Sequence, residues 1–184
     1  MNELTTQNLQ QIIYSSIKMV KMDVDIRQDC SGVNMSYNFI GHYISIDEKR
    51  LIEAKEEILF PISLETYINI LTIHELGHAM DRDNLMATID RTIEIFEMKN
   101  SHSPKELYTN QELLAILLEE HDMNLVFEET AWNNAEKLNK QYEIVDEMTF
   151  QAVKLHSLST YIKSYQTDLV LFQKLRENQS MQIA

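Results

Sequence analysis

Two histidines four residues apart bracket a glutamate in Ile73-His74-Glu75-Leu76-Gly77-His78-Ala79. On a helix, positions i and i+4 share a face, so both imidazoles can bind one Zn²⁺. Glu75 can then reach a water activated at that metal and take its proton as general base. A chain with this His and Glu content is expected to contain H-E-x-x-H by chance about 0.02 times. The surrounding run from Tyr67 to Met80 is apolar nearly all round, which predicts a buried helix. Polar groups left without partners there would cost roughly 1–3 kcal/mol each, and a metal removes that cost. The competing reading is a pair of histidines hydrogen-bonded in an ordinary core.

Zinc needs a third protein ligand. The longer pattern H-E-x-x-H-x-x-G-x-x-H fails, because Asp81 stands at the glycine position and Asn84 at the last histidine. Asp81 reads as a carboxylate that supports the site or solvates the helix end. The better candidate lies in Leu125-Val126-Phe127-Glu128-Glu129-Thr130-Ala131-Trp132. Glu128 shares its helix face with Leu125, Ala131, Trp132 and Ala135, the apolar side. Glu129 shares its face with Asp122, Asn133 and Glu136, the wet side. A carboxylate on the buried stripe needs a strong partner. The pattern therefore predicts Glu128 as ligand and Glu129 as a solvated surface residue.

HELGHA (74–79) followed by E-x-x-A on a downstream helix (Glu128 to Ala131) resembles the gluzincin class of zinc metallopeptidases. Within that class, the small size and short strand region are similar to the minigluzincins and the ImmA/IrrE-like peptidases of phages and mobile elements. The resemblance covers roughly residues 22–136. It implies His74, His78 and Glu128 as zinc ligands and Glu75 as the catalytic base. One position departs from the class. Many gluzincins follow E-x-x-A/S with an acidic or amide residue that orients a zinc-bound histidine, and here that residue is Trp132. Support for the imidazoles would have to come from elsewhere, with Asp81, Asp83 and Asn124 as candidates.

The positioning elements follow from the hydrophobic periods. Residues 3–21 carry helical spacing, as do 48–59 and roughly 84–99. Between 22 and 47 the period changes to two, which predicts two or three short antiparallel strands. Ser63 can cap a helix over 64–80. A capping-box pattern at Thr109–Glu112 opens a long helix over 110–139, and a last helix covers 144–177. The expected fold is a single α+β domain over 1–184, helix-dominated and zincin-like, with a small antiparallel sheet. Gly77, between the two histidines, predicts a close approach by a strand or by the Glu128 helix.

Composition sets the outer bounds. Sixteen Lys+Arg against 29 Asp+Glu give a net charge of −13, which disfavours nucleic acid as a partner. The longest apolar run, Leu113 to Leu118, is too short to span a membrane, and the N-terminus has no signal-peptide pattern. The lone Cys30 fits a reducing compartment, so the expected location is cytoplasmic. Cys30 itself reads as inert. The oligomeric state is not readable from the chain.

The expected substrate is a peptide or protein, hydrolysed at zinc with Glu75 as base. His156, Tyr161 and Tyr165 are candidate donors to the developing oxyanion. His121 shares a face with Glu128 but lies two turns away, about 10 Å, so both can bind one ion only if the helix bends. The strand at His42–Ile46 offers a possible edge for an extended peptide. Two other readings are a regulator of ImmA/IrrE type acting on one partner, and a helical interaction protein with structural zinc. The latter would close its site with a fourth ligand such as Asp81 or His121. The cysteine-bearing motif of peptide deformylases and the G-x-M-E-N segment of zinc aminopeptidases are absent.

Overall fold

The computed structural model describes residues 6–183, with side chains for residues 8–178. Residues 3–5 of the predicted first helix lie outside the described residues. The elements run α1 (Thr6–Met19), β1 (Asp25–Gln28), β2 (Met35–Asn38), β3 (Tyr43–Ile46), α2 (Glu48–Glu56), α3 (Leu64–Met80) and α4 (Arg82–Ala87). They continue with α5 (Ile89–Ser101), α6 (Pro104–Thr109), α7 (Gln111–Tyr142) and α8 (Glu147–Ile183).

The chain forms two compact units. The first comprises residues up to Asp83 together with Glu129–Leu155; the second comprises Asn84–Glu128 and the residues from His156 onward.

In the first unit, α3 is the central element. Ser63 Oγ accepts a hydrogen bond from Thr66 N at 3.0 Å and so satisfies one of the free amides of the first turn. From Tyr67 to Gly77 every residue of α3 except Asn69 is buried. That burial follows from an apolar sequence on all faces. Helix α1 packs on α3 through its apolar stripe of Leu9, Ile13 and Ile17, and the Ser16 hydroxyl reaches Asn69 Oδ1 at 2.8 Å. Ala131, Trp132, Ala135 and Leu138 of α7, with Phe150 and Val153 of α8, complete this core.

The sheet has the order β1-β3-β2. β2 and β3 form the antiparallel hairpin that the alternation predicts, pairing Met35 with Ile46 and Tyr37 with Ile44. β1, however, pairs parallel with β3, so the sheet is mixed rather than antiparallel throughout. The reason is the loop at 29–34. It passes the end of β3, with Asp29 N bonding Ile46 O and Asp47 N bonding Asn34 O, and places β1 and β2 on opposite sides of that strand. A second expectation changes with it. The strand at 43–46 is central, with both edges already paired, so it offers no free edge for a peptide. The buried Met35, Ile44 and Ile46 line one face of the sheet, and β2 packs against α3.

The second unit is helical. Leu107, Leu114 and Leu117 form its core, with Met98, Leu113, Leu171, Phe172 and Leu175 packed around them. Arg91 pairs with Glu94 and Glu119, and Lys99 with Glu120. Helix starts here differ from the sequence expectation. The capping box sits at Ser103–Glu106, with Pro104 in the first turn, and opens the separate short helix α6. Asn110, not Thr109, caps α7, its Oδ1 accepting from Glu112 N and Leu113 N. The predicted helix at 84–99 is divided between α4 and α5 at Thr88.

Candidate metal centre

The C-terminal half of α3 carries three chemically useful side chains within five residues. His74 and Glu75 are each 5% exposed, and His78 is half-buried. The two imidazole rings meet edge to face with centroids 4.8 Å apart. Glu75 Oε1 lies 4.0 Å from His74 Nε2, beside the ring but beyond hydrogen-bonding distance.

What brings α7 to these residues is the absence of a side chain. A Cβ at Gly77 would overlap Ala131 O and stand 2.9 Å from its carbonyl carbon, so only glycine permits the crossing. Asn134 then locks it. At the end of α3, Asp81 N turns to His78 O, so Gly77 O loses the amide it would meet in a longer helix. Asn134 Nδ2 fills that place at 3.1 Å, and Lys137 Nζ holds Asn134 Oδ1 at 3.0 Å. Farther along, Glu136 bonds Lys140 and Lys154, which hold its carboxyl down at about 2, and the Lys154 bond ties α7 to the start of α8.

Glu128 lies one turn before Ala131 on the same unbroken helix. Its carboxylate and the imidazoles of His74 and His78 offer three ligand atoms within 4.8 Å of one another, and none of the three residues is solvent-exposed. Ligands about 2.1 Å from a tetrahedral ion stand about 3.4 Å apart, so a pair at 4.8 Å would close by about 1.4 Å, within reach of side-chain torsions. The group could therefore hold a metal ion. Two imidazoles and one carboxylate suit Zn²⁺, and also Fe(II). Glu129 is exposed.

The residue that touches His74 from α7 is Trp132. Its indole stacks on the imidazole with centroids 4.2 Å apart and planes 20° from parallel, and Phe150 packs edge-on behind it. Trp132 is fully buried, and its Nε1 has no hydrogen-bond partner. An aromatic plate thus fixes the His74 ring where a carboxylate or amide might otherwise be sought. Asp83 and Asn124 are exposed, and Asp81 is the C-cap residue of α3.

Trp132 is the chain's sole tryptophan. Its emission should therefore report on His74 directly. Addition of Co²⁺, which quenches nearby indoles, is expected to reduce it saturably in the wild type and not in Glu128→Ala, as read by a fluorescence titration.

The remaining sequence candidates fall elsewhere. In the second unit, His121 Nε2 pairs with the buried Asp168 at 2.9 Å, and Tyr165 packs edge-on against the His121 ring. His156 is exposed and Tyr161 half-buried on α8. Cys30 is exposed, its amide bonded to Asp29. Two contributors escaped the sequence reading, the Trp132 stack and the Asn134 lock. Asn134 had a signal, since it stands on the Ala131–Leu138 stripe, and a polar residue on a buried stripe implies a partner.

No helix among the described residues is long and apolar enough to cross a membrane. Comparison of the chain with family models, curated proteins and solved structures finds no match to any of them.

Proposed function

We propose that this chain is a zinc-dependent peptidase whose ligands are His74, His78 and Glu128 and whose general base is Glu75. The observation that carries the reading is the ligand count. Among the described residues, three metal-binding side chains converge and no fourth joins them. Structural zinc sites are closed by four protein ligands, whereas catalytic ones keep a position open. His121, a possible fourth, is engaged with Asp168 in the second unit.

A zinc ion held by this set supplies Lewis acidity, polarising a carbonyl and making water a stronger acid. The protein's own residues do the rest. Glu75, buried beside His74, accepts the proton of the attacking water and returns it to the leaving amine. His74 is held in one ring orientation by Trp132, and the Gly77 crossing fixes the turn of α7 that presents Glu128. An extended substrate can pair with the outer edge of β2, the strand that packs against α3. On that edge the Asn34 side chain already takes Met35 N at 2.8 Å, which limits pairing to the residues beyond it.

The test is cleavage of an unfolded polypeptide by the zinc-loaded chain. Fragments are expected from the wild type and none from Glu75→Gln. Equal fragmentation by both would end the proposed mechanism.

A further inference from the structure

The turn joining β2 to β3 holds a cluster that the metal centre does not use. Arg82, four residues beyond His78, donates from Nε to Phe39 O at 2.8 Å and from Nη2 to Ile40 O at 3.4 Å. A guanidinium has five N–H groups, so three remain. Among the described residues no carboxylate pairs with this half-buried cation, although the chain carries 29 Asp+Glu against 16 Lys+Arg. Arg50 and Arg91, by contrast, are paired with Glu57 and with Glu94 and Glu119.

Two polar aromatic groups share this end of the hairpin. Tyr37 stands on the same sheet face as Met35, Ile44 and Ile46, and its hydroxyl meets His42 Nδ1 at 2.6 Å. Burial pushes the Tyr37 hydroxyl up, and the nearby Arg82 charge opposes part of that rise. His42 occupies the left-handed region at φ 54, a conformation that is uncommon for a residue with a side chain. With Nδ1 engaged, its Nε2 is the nitrogen left for a ligand.

We propose that Arg82, with His42 and Tyr37, forms an anion site that takes a carboxylate of the peptide substrate. The chemistry fits the charge balance. An acidic protein repels acidic peptides, and a rigidly held guanidinium with spare donors offsets that repulsion at one point. The carboxylate belongs either to the substrate's C-terminus or to an acidic side chain. Only its assignment to a substrate rests on the peptidase reading; the binding itself does not.

The test titrates peptides into the full chain in the presence of a chelator, so that a failed metal assignment leaves the result intact. The His42 ring resonances are followed by NMR. N-acetyl-trialanine carries a terminal carboxylate, N-acetyl-Ala-Glu-Ala amide a side-chain one, and N-acetyl-trialanine amide none. Saturable shifts are expected with at least one of the first two and at least about tenfold weaker binding with the third. Saturation by the first alone assigns the chain end, and by the second alone an acidic residue.

Arg82→Gln should weaken binding at least about tenfold. Because this change also releases Phe39 O, His42→Asn serves as a second variant, followed by the Tyr37 resonances. Asparagine tolerates the left-handed conformation, and Arg82 stays in place. It should weaken binding several-fold. No saturation by either carboxylate peptide, or wild-type affinity in both variants, would overturn the proposal.

Discussion

Glu75→Gln is expected to keep the metal and lose the reaction. The substitution preserves volume and removes the proposed general base, and general-base contributions run to about 10²–10⁴ in rate. Glu75 lies beside His74 without belonging to the ligand group, so metal content should match the wild type. Steady-state cleavage and metal analysis of the same preparation check both halves. A rate loss accompanied by metal loss would instead mean that Glu75 helps to hold the ion.

The second large effect concerns a residue with no chemistry of its own. Gly77→Ala would push a methyl group into Ala131 O, a backbone atom that cannot swing aside. Either α7 retreats, carrying Glu128 away from the histidines, or the crossing is held under strain. Overpacking of this kind typically costs about 1–3 kcal/mol, and a backbone clash lies at or beyond the upper end. The expected result is a lower melting temperature together with weaker metal binding. Ala79→Gly, two residues along the same helix, serves as the comparison. It removes a half-buried methyl, costs roughly 1 kcal/mol through helix propensity, and should leave metal binding unchanged.

The two variants also separate what sequence can and cannot reveal. The α3 helix was readable to the residue because its signals are local: a serine cap, an apolar run and polar residues at i, i+1 and i+4. The different facing of Glu128, half-buried, and Glu129, exposed, was readable for the same reason, since helical periodicity alone separates them. Gly77 could be read as a close approach, but its partner Ala131 lies 54 residues away and only the fold supplies it.

Direction in the sheet was not readable. Alternation marks β1 as a strand but says nothing about which neighbour it pairs with or in which sense. The helix start near residue 110 shows two local signals in competition. Ser103-Pro104-Lys105-Glu106 and Thr109-Asn110-Gln111-Glu112 both fit a capping box; the first forms it and opens α6, while α7 starts at Gln111 with Asn110 as its cap. His121 and Asp168, 47 residues apart, carry no mark of their pairing in the sequence. Trp132 is the most instructive case. Its stacking on the His74 imidazole, 58 residues away in the chain, is a contact visible only in three dimensions.

The most direct measurement is metal content of the protein purified without added metal, for the wild type, Glu128→Ala and Glu129→Ala. About one zinc per chain is expected in the wild type and in Glu129→Ala, with most of it lost in Glu128→Ala. Iron in place of zinc would keep the site and change the metal, leaving the hydrolytic reading to the Glu75→Gln comparison. A wild type that binds no metal even after zinc is supplied would contradict the assignment outright, leaving His74, Glu75 and His78 as polar residues of a helical core.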